Sequence, residues 1–263
     1  VTVEVDSASL PWDRNLDADG GGWDRLLDEV GDMRKAADVT KNTYYYGLFN
    51  PDSSMNDFCG WTGCVVGLSN IGSPNQDWSK SSIGVGFSGD SAAATMIHEV
   101  GHAHGREHAP CGVSGWGTDN AFPHDDAKLG RWGLDVVNLS LKDPNKYRDV
   151  MSYCDPTWMS DYNYTKLFFF VQDVQPGSRA ALGTPEAYRR VSVDGQGELT
   201  FWGHDLVAYV EDSELNKRVA LLDAQGEVLS VVRGAYSPYT HIQGGVVVIR
   251  EPGANVVSVC FVD

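Results

Sequence analysis

The stretch HEVGHAHGREH at residues 98–108 constrains the local fold more than any other part of the chain. It holds four histidines, although the whole sequence has only 7. His98 and His102 are four positions apart, so on a helix their side chains lie on one face, one above the other. Gly105 permits a sharp turn with a positive φ, and that turn would bring His108 back beside them. The spacing therefore predicts three imidazoles around one point.

Three imidazoles with an adjacent carboxylate are the residue types that a catalytic metal site needs. Glu99 lies beside His98 at the edge of the same helix face, where it can reach a metal-bound water without being a ligand. Three neutral nitrogens and one open position are typical of catalytic zinc rather than of a closed structural site. In this hypothesis zinc lowers the pKa of the water, and Glu99 takes its proton and passes it to a leaving amine.

The other histidines lie outside this pattern. His104 points away from the face that carries His98 and His102, so we expect it to be exposed or to lie behind a ligand. We interpret His204 and His241 as surface residues, because neither has a partner motif. Glu107 lies beyond the glycine turn, which favours a solvated charge.

The spacing of apolar residues predicts the helices and strands around the motif. A helical period covers 23–38, a second helix starts at residue 92 with Asp90 or Ser91 as its cap, and a third covers 160–174 with Ser160 as its cap. Short β-type segments are 43–49, 64–70 and 82–87, and either of the last two could pair with an extended substrate.

The pattern changes after about residue 184, where short β-type segments alternate with turn residues at close spacing, as in a small sandwich or barrel. We therefore predict an α+β fold in two domains. The first domain covers 1–180 and contains the histidine motif with the helices and strands predicted around it. A sandwich-like all-β domain follows at 186–263, and the boundary falls near 176–186.

Composition excludes several classes of partner. The chain has 36 acidic and 20 basic residues, a net charge of −16, so it would repel phosphate backbones and nucleic acid is not an expected partner. No run of 18 apolar residues predicts a membrane span. We expect a secreted protein whose signal peptide and any pro-segment are not in this chain.

The five cysteines favour an oxidising compartment over five reduced thiols. Cys59 and Cys64 flank a glycine-containing loop that could close into a small ring. Cys111 and Cys154 follow two separate segments, the histidine motif and DVMSYC, and a bridge between them would tie those segments together. Cys260 is left over, and we expect a buried thiol.

The motif HExxHxxGxxH, as it stands at 98–108, resembles the zinc signature of the metzincin metallopeptidases. The resemblance implies that 1–180 is a metzincin-type catalytic domain with a mixed twisted sheet, an active-site helix, a methionine turn and a C-terminal helix. DVMSYC supplies the methionine at Met151, as a hydrophobic floor below the histidines. Tyr153 matches the M-x-Y form of the astacin and serralysin branches, in which the phenol helps to stabilise the oxyanion. The two cysteines resemble those of pappalysin-like enzymes, and HEVGH with WMSDYNY resembles the branch of bacterial mucin-type glycoprotein-cleaving proteases.

The function that this resemblance implies is a secreted zinc endopeptidase that cleaves proteins or glycoproteins. The alternative is a carbohydrate- or matrix-binding protein on a peptidase-like scaffold, with glycan contact through WGHD (202–205) and AYSPYT (235–240) of the C-terminal segment. A metal-dependent amidase is a third hypothesis. Asp125 and Asp126 could bind calcium, but no ordered ligand spacing supports a calcium site and a solvated loop is favoured.

Overall fold

The computed structural model describes residues 2–6, 9–60, 63–87, 89–113, 115, 117–174, 186–201, 206–208 and 210–262. Most of the predicted domain boundary at 176–186 lies outside these residues, as do Trp116, His204 and the WGHD stretch. Within the described residues the fold is α+β, as predicted, and contains four α-helices and several sheets.

The helices and strands follow the chain in this order. The helices are α1 (Trp23–Ala36), α2 (Met55–Cys59), α3 (Asp90–Ala103) and α4 (Asp161–Asp173). The first seven strands are β1 (Tyr45–Phe49), β2 (Gly67–Ser69), β3 (Ser81–Val85), β4 (Gly133–Asp135), β5 (Ser140–Lys142), β6 (Arg148–Asp149) and β7 (Thr157–Trp158). The other seven are β8 (Glu186–Val193), β9 (Leu199–Phe201), β10 (Leu206–Ala208), β11 (Lys217–Leu222), β12 (Val228–Pro238), β13 (Gly245–Arg250) and β14 (Ser258–Phe261).

A three-stranded sheet supports the histidine helix. Its order is β1-β3-β2, with β1 parallel and β2 antiparallel to β3, so that β2 lies at an edge. Helices α1 and α3 both pack against this sheet. Trp23, Leu26, Leu27 and Val30 of α1 recur at helical spacing and are buried, and each such side chain stabilises the fold by about 2 kcal/mol.

The strands from β8 to β14 form one seven-stranded sheet. Its order is β10-β8-β13-β12-β11-β14, β9 pairs with β8, and β9 also contacts β14. The sheet therefore curves back on itself and nearly closes into a barrel. Of the two architectures expected for this segment, a small sandwich or a barrel, the near-closed sheet corresponds to the barrel, because β9, paired with β8, meets β14.

The near-closed sheet shares a hydrophobic core with α1 and the three-stranded sheet. Side chains alternate along β13, so Val246 and Val248 point to this shared core, whereas Val247 and Ile249 fill the interior of the near-barrel. Tyr239 belongs to the shared core together with Trp23. The two predicted domains are thus packed against each other, and the location of their boundary stays a prediction.

The structure confirms one of the predicted helix caps and contradicts the other, and it also contradicts the predicted burial of Cys260. Ser160 caps α4 as predicted, since its Oγ accepts a hydrogen bond from the backbone N–H of Asn163 at 3.1 Å. The predicted cap of α3 is wrong, because Gly89 occupies that position and no side chain caps the helix. Cys260 is exposed rather than buried: alternation along β14 turns Val259 inward and its neighbour outward.

Two other features bear on the predicted class of protein. The predicted disulfides Cys59–Cys64 and Cys111–Cys154 are both present, as is consistent with an extracellular protein. None of the helices in the described part of the chain has the length and apolar character that a membrane crossing requires.

The carboxyl group of Asp28 in α1 makes the stability of the shared core depend on pH. It is buried 3.7 Å from Arg190 of β8, and burial raises its pKa to about 7 from the usual 3.8. Its contribution to stability is therefore complete below pH 3.8 and is lost as pH rises through 7. We expect the free energy of unfolding of wild type, relative to Asp28→Asn, to fall by up to about 4 kcal/mol between pH 4 and 8 in urea titrations.

Asp32 provides a matched control for this prediction. It lies 3.2 Å from the same guanidinium but is more exposed than Asp28. Because burial is the largest cause of the raised pKa of Asp28 and the charge of Asp32 a smaller one, Asp32→Asn should keep most of the fall that wild type shows. Parallel profiles for wild type and Asp28→Asn would contradict the assignment.

Candidate metal centre

The C-terminal half of α3 is buried, although most of its buried side chains are polar. His98, Glu99 and His102 all face inward there. Strand β3 fixes the helix at this point, since Ser82 Oγ donates a hydrogen bond to the backbone carbonyl of Glu99 at 3.1 Å. The Glu99 carboxylate packs against the backbone of Gly67 in β2. The three-stranded sheet therefore sets the position of the motif.

A glycine turn after α3 brings in the third histidine, as predicted. Gly105 has φ +74°, a conformation that other residues rarely adopt. Its N–H donates to the His102 carbonyl at 2.8 Å, and the Arg106 N–H donates to the Gly101 carbonyl at 3.1 Å. Together these bonds reverse the chain and bring His108 beside the two helical imidazoles.

Four imidazoles, not three, meet at one point. The structure brings His241 to His98, His102 and His108, and the ring nitrogens that these four offer all lie within 4.8 Å of one another. The prediction that His241 is a surface residue is wrong. Its side chain is only 13% exposed, because the turn after β12 packs against β2.

Each imidazole is oriented through its Nδ1 atom, which lies next to an oxygen. The partners are the carbonyl of Val150 for His98 (2.9 Å), of Arg106 for His102 (2.5 Å) and of Gly117 for His108 (3.1 Å), and the Tyr153 hydroxyl for His241 (2.7 Å). A carbonyl can only accept, so Nδ1 carries the proton in the first three rings and Nε2 keeps its lone pair.

The remaining ring nitrogens fit a metal ion. The Nε2 atoms of His98 and His102 are buried and have no hydrogen-bond partner, and His241 Nε2 makes no hydrogen bond although it lies 2.8 Å from the Glu99 carboxylate. Buried nitrogens of this kind are costly unless something binds them. Histidine ligands of metals characteristically donate their other ring N–H to an oxygen, as these do. The cluster can therefore hold a divalent ion, and nitrogen donors suit zinc among other transition metals.

Burial keeps the three motif histidines neutral. It lowers the pKa of His98 and of His102, and it lowers the pKa of His108 to about 3. The neighbouring imidazoles lower the pKa values of His102 and His108 further. Neutral rings at pH 7 are the form that binds a metal.

The turn that carries Met151 packs against α3. Met151 is buried, and its Sδ lies so close to Gly101 that a Cβ at that position would clash with it. The Ala109 N–H donates to the Met151 carbonyl at 2.9 Å. Buried Asp149 fixes this turn, accepting hydrogen bonds from the Met151 N–H and from Asn163 Nδ2, both at 2.7 Å.

Tyr153 lies at the open side of the cluster. Its hydroxyl is 3.1 Å from His108 Nε2 and 2.7 Å from His241 Nδ1, and the residue is about half exposed. Partial burial raises the pKa of the phenol, and the charge of Glu99 raises it further. The phenol therefore keeps its proton, and the Cys111–Cys154 disulfide holds the adjacent backbone.

A cleft of about 890 Å³ opens onto the cluster. Its walls are the 64–66 segment, the outer face of α3 and the 150–159 segment, and His98, Glu99, Tyr153 and His241 lie along it. Glu99 is almost fully buried, with one carboxylate oxygen 2.8 Å from His241 Nε2 and the other 3.5 Å from Thr240 Oγ1. The carboxylate is thus next to the point at which the imidazoles meet.

The other candidate residues are placed away from this point. His104 stacks on Tyr44 and its Nδ1 contacts the carbonyl of Val100. It therefore points away from the helix face that carries His98 and His102, as predicted. Glu107 is exposed, as predicted. His124 pairs with Asp161 at 2.6 Å. For the calcium hypothesis, Asp126 is already paired with a cation, since Arg148 lies 2.7 Å from it.

Sequence reasoning missed two residues of this site. His241 carries no local signal, because only the packing of the near-closed sheet brings it to α3. Asp149 directly precedes the VMSYC segment, and its acidic side chain beside an apolar turn could have indicated a buried acceptor.

Comparisons of this chain with protein-family models, with curated proteins and with solved structures find no match. The resemblance to metzincins therefore rests on the residues of the histidine motif and the methionine turn.

The first prediction for this site concerns metal affinity. We expect one Zn²⁺ per chain in a titration against a chromophoric chelator. We expect His102→Ala to weaken binding about 100-fold or more, because this buried ring supplies one of the free nitrogens. His124→Ala is the control and should bind like wild type. Equal losses in both variants would exclude the cluster as the binding site.

The second prediction concerns the disulfide behind the site. Cys111 and Cys154 are 43 positions apart, and replacing both by serine should lower the free energy of unfolding by about 4 kcal/mol in denaturant titrations. The same change at Cys59 and Cys64, 5 positions apart, should cost only about 2 kcal/mol. A larger loss from the smaller ring would contradict this account.

Proposed function

We propose that this protein is a secreted zinc-dependent endopeptidase of metzincin type that acts on proteins or glycoproteins. The observation that carries the proposal is a buried carboxylate, Glu99, beside imidazoles with unpartnered Nε2 atoms at the end of an open cleft. The spacing of these residues and the Met151 turn support the metzincin assignment. The two disulfides support secretion.

The residues of the cluster would hold the metal, and the surrounding contacts prepare them for it. A bound zinc ion would polarise a water and lower its pKa toward neutrality. The Nδ1 contacts of His98, His102 and His108 fix the three rings before the ion binds. Because the rings are already oriented, metal binding requires less rearrangement of the side chains.

Glu99 is the base in this proposal. Its carboxylate lies at the cluster and is buried, so it can take a proton from the attacking water and return it to the leaving amine. Tyr153 keeps its phenolic proton and faces the cleft. Its O–H can donate a hydrogen bond to the peptide carbonyl oxygen as negative charge develops there.

The amidase hypothesis uses the same residues, and a cleft of about 890 Å³ favours a peptide substrate over a small amide. The alternative of a carbohydrate- or matrix-binding protein has lost part of its basis. Tyr239 of the AYSPYT stretch is buried in the core, so it offers no surface for a glycan. The rest of that alternative is tested by whether the carboxylate of Glu99 is needed for any hydrolysis.

The decisive variant is Glu99→Gln, which keeps the size of the side chain and removes the base. We expect hydrolysis of mixed denatured proteins and glycoproteins to fall about 10²- to 10⁴-fold, while the zinc content stays the same. Glu107→Gln changes an exposed carboxylate nearby and should leave hydrolysis unchanged. Activity of Glu99→Gln equal to wild type would refute the proposal.

A further inference from the structure

The edge of β2 that an extended substrate could pair with is occupied by the chain itself. Strand β3 lies between β1 and β2, so of the two segments predicted to pair with a substrate only the one containing β2 has an edge that is unpaired within the three-stranded sheet. The Thr240 N–H donates to the Ser69 carbonyl at 3.1 Å, and the Ile71 N–H donates to the Pro238 carbonyl at 3.3 Å. Tyr239 forms an antiparallel bridge with Asn70. This is the pairing by which a peptide adds to a sheet edge.

The next residue in this segment is His241, and its surroundings allow Nδ1 to carry the proton. His108 Nδ1 donates to a carbonyl, so His108 Nε2 carries no proton and can accept a hydrogen bond from the Tyr153 O–H or bind a metal. The Tyr153 hydroxyl oxygen, 2.7 Å from His241 Nδ1, can in turn accept a hydrogen bond from that nitrogen. In that arrangement His241 Nε2 presents a lone pair to the cluster.

A lone pair at this position faces other electron-rich atoms. His241 Nε2 is 2.8 Å from a carboxylate oxygen of Glu99, yet the two do not form a hydrogen bond. The ring nitrogens that His98, His102 and His241 offer to a metal lie within 4.8 Å of one another. Such an arrangement is unfavourable unless a cation lies among these atoms.

The turn that carries His241 is held in place on both sides. The Tyr239 N–H donates to the Gly244 carbonyl at 3.1 Å and closes the turn. Thr240 Oγ1 accepts from the Ser69 N–H at 3.1 Å and ties the turn to β2. The imidazole is thus ordered by backbone contacts before any ligand binds.

We propose that His241 is a fourth protein ligand of the metal and that its side chain blocks the metal from a substrate in the cleft of the resting protein. The ligand assignment depends only on the cluster, whereas the blocking role rests on the proposed peptidase function. Four imidazoles would complete the usual number of zinc ligands, so the His241 side chain would have to move away before the site could act on a substrate.

X-ray absorption of the zinc-loaded protein tests the ligand assignment, because imidazole scattering counts the histidines. We expect four in wild type, three in His241→Ala and four in the control His124→Ala. Three in wild type would overturn the assignment and would mean that His241 only pairs with Glu99. If His241→Ala does not fold by circular dichroism, His241→Gln replaces it with the same expectation.

Hydrolysis of a short peptide by the same zinc-loaded variants tests the blocking role. We expect kcat/KM of His241→Ala to rise several-fold over wild type, whereas a fall would overturn that role. Failure of the proposed function has a different signature. In that case wild type and His241→Ala would hydrolyse no more peptide than Glu99→Gln does, while the imidazole counts would still be four in wild type and three in His241→Ala.

Discussion

The structure depends on a group of buried imidazole nitrogens that have no hydrogen-bond partner and face one another. Each such nitrogen costs about 1–3 kcal/mol when nothing binds it. The fold accepts this cost at His98, His102 and His241 in one place, and three backbone carbonyls hold the motif rings in position. A metal that binds only the folded chain would recover this free energy as stability, so occupancy of the site and folding of the protein are coupled.

The sequence was sufficient for the features that depend on local geometry. The four-residue spacing of His98 and His102 follows from the helical period, and the turn at Gly105 follows from the freedom of glycine. Ser160 could be recognised as a cap for the same reason. These positions, and both disulfides, agree with the structure because few residues determine each of them.

Features that depend on distant packing could not be predicted. His241 reaches the cluster only because the near-closed sheet packs on α1 and places the turn after β12 against β2. The closure of that sheet depends on its curvature, which a pattern of short β segments does not encode. Cys260 shows a smaller error of the same kind, since its burial depended on which face of β14 pointed inward.

The hydrophobic core shared by α1 and strands β8, β12 and β13 has a consequence for how such a gene can change. Each half would expose apolar surface if it were separated from the other, since Trp23 and Tyr239 lie in the same hydrophobic cluster. Recombination that exchanged one half for an unrelated segment would leave an open apolar face and remove one imidazole. The two halves are therefore constrained to be inherited as one unit, and substitutions at their contact are expected to arise in compensating pairs.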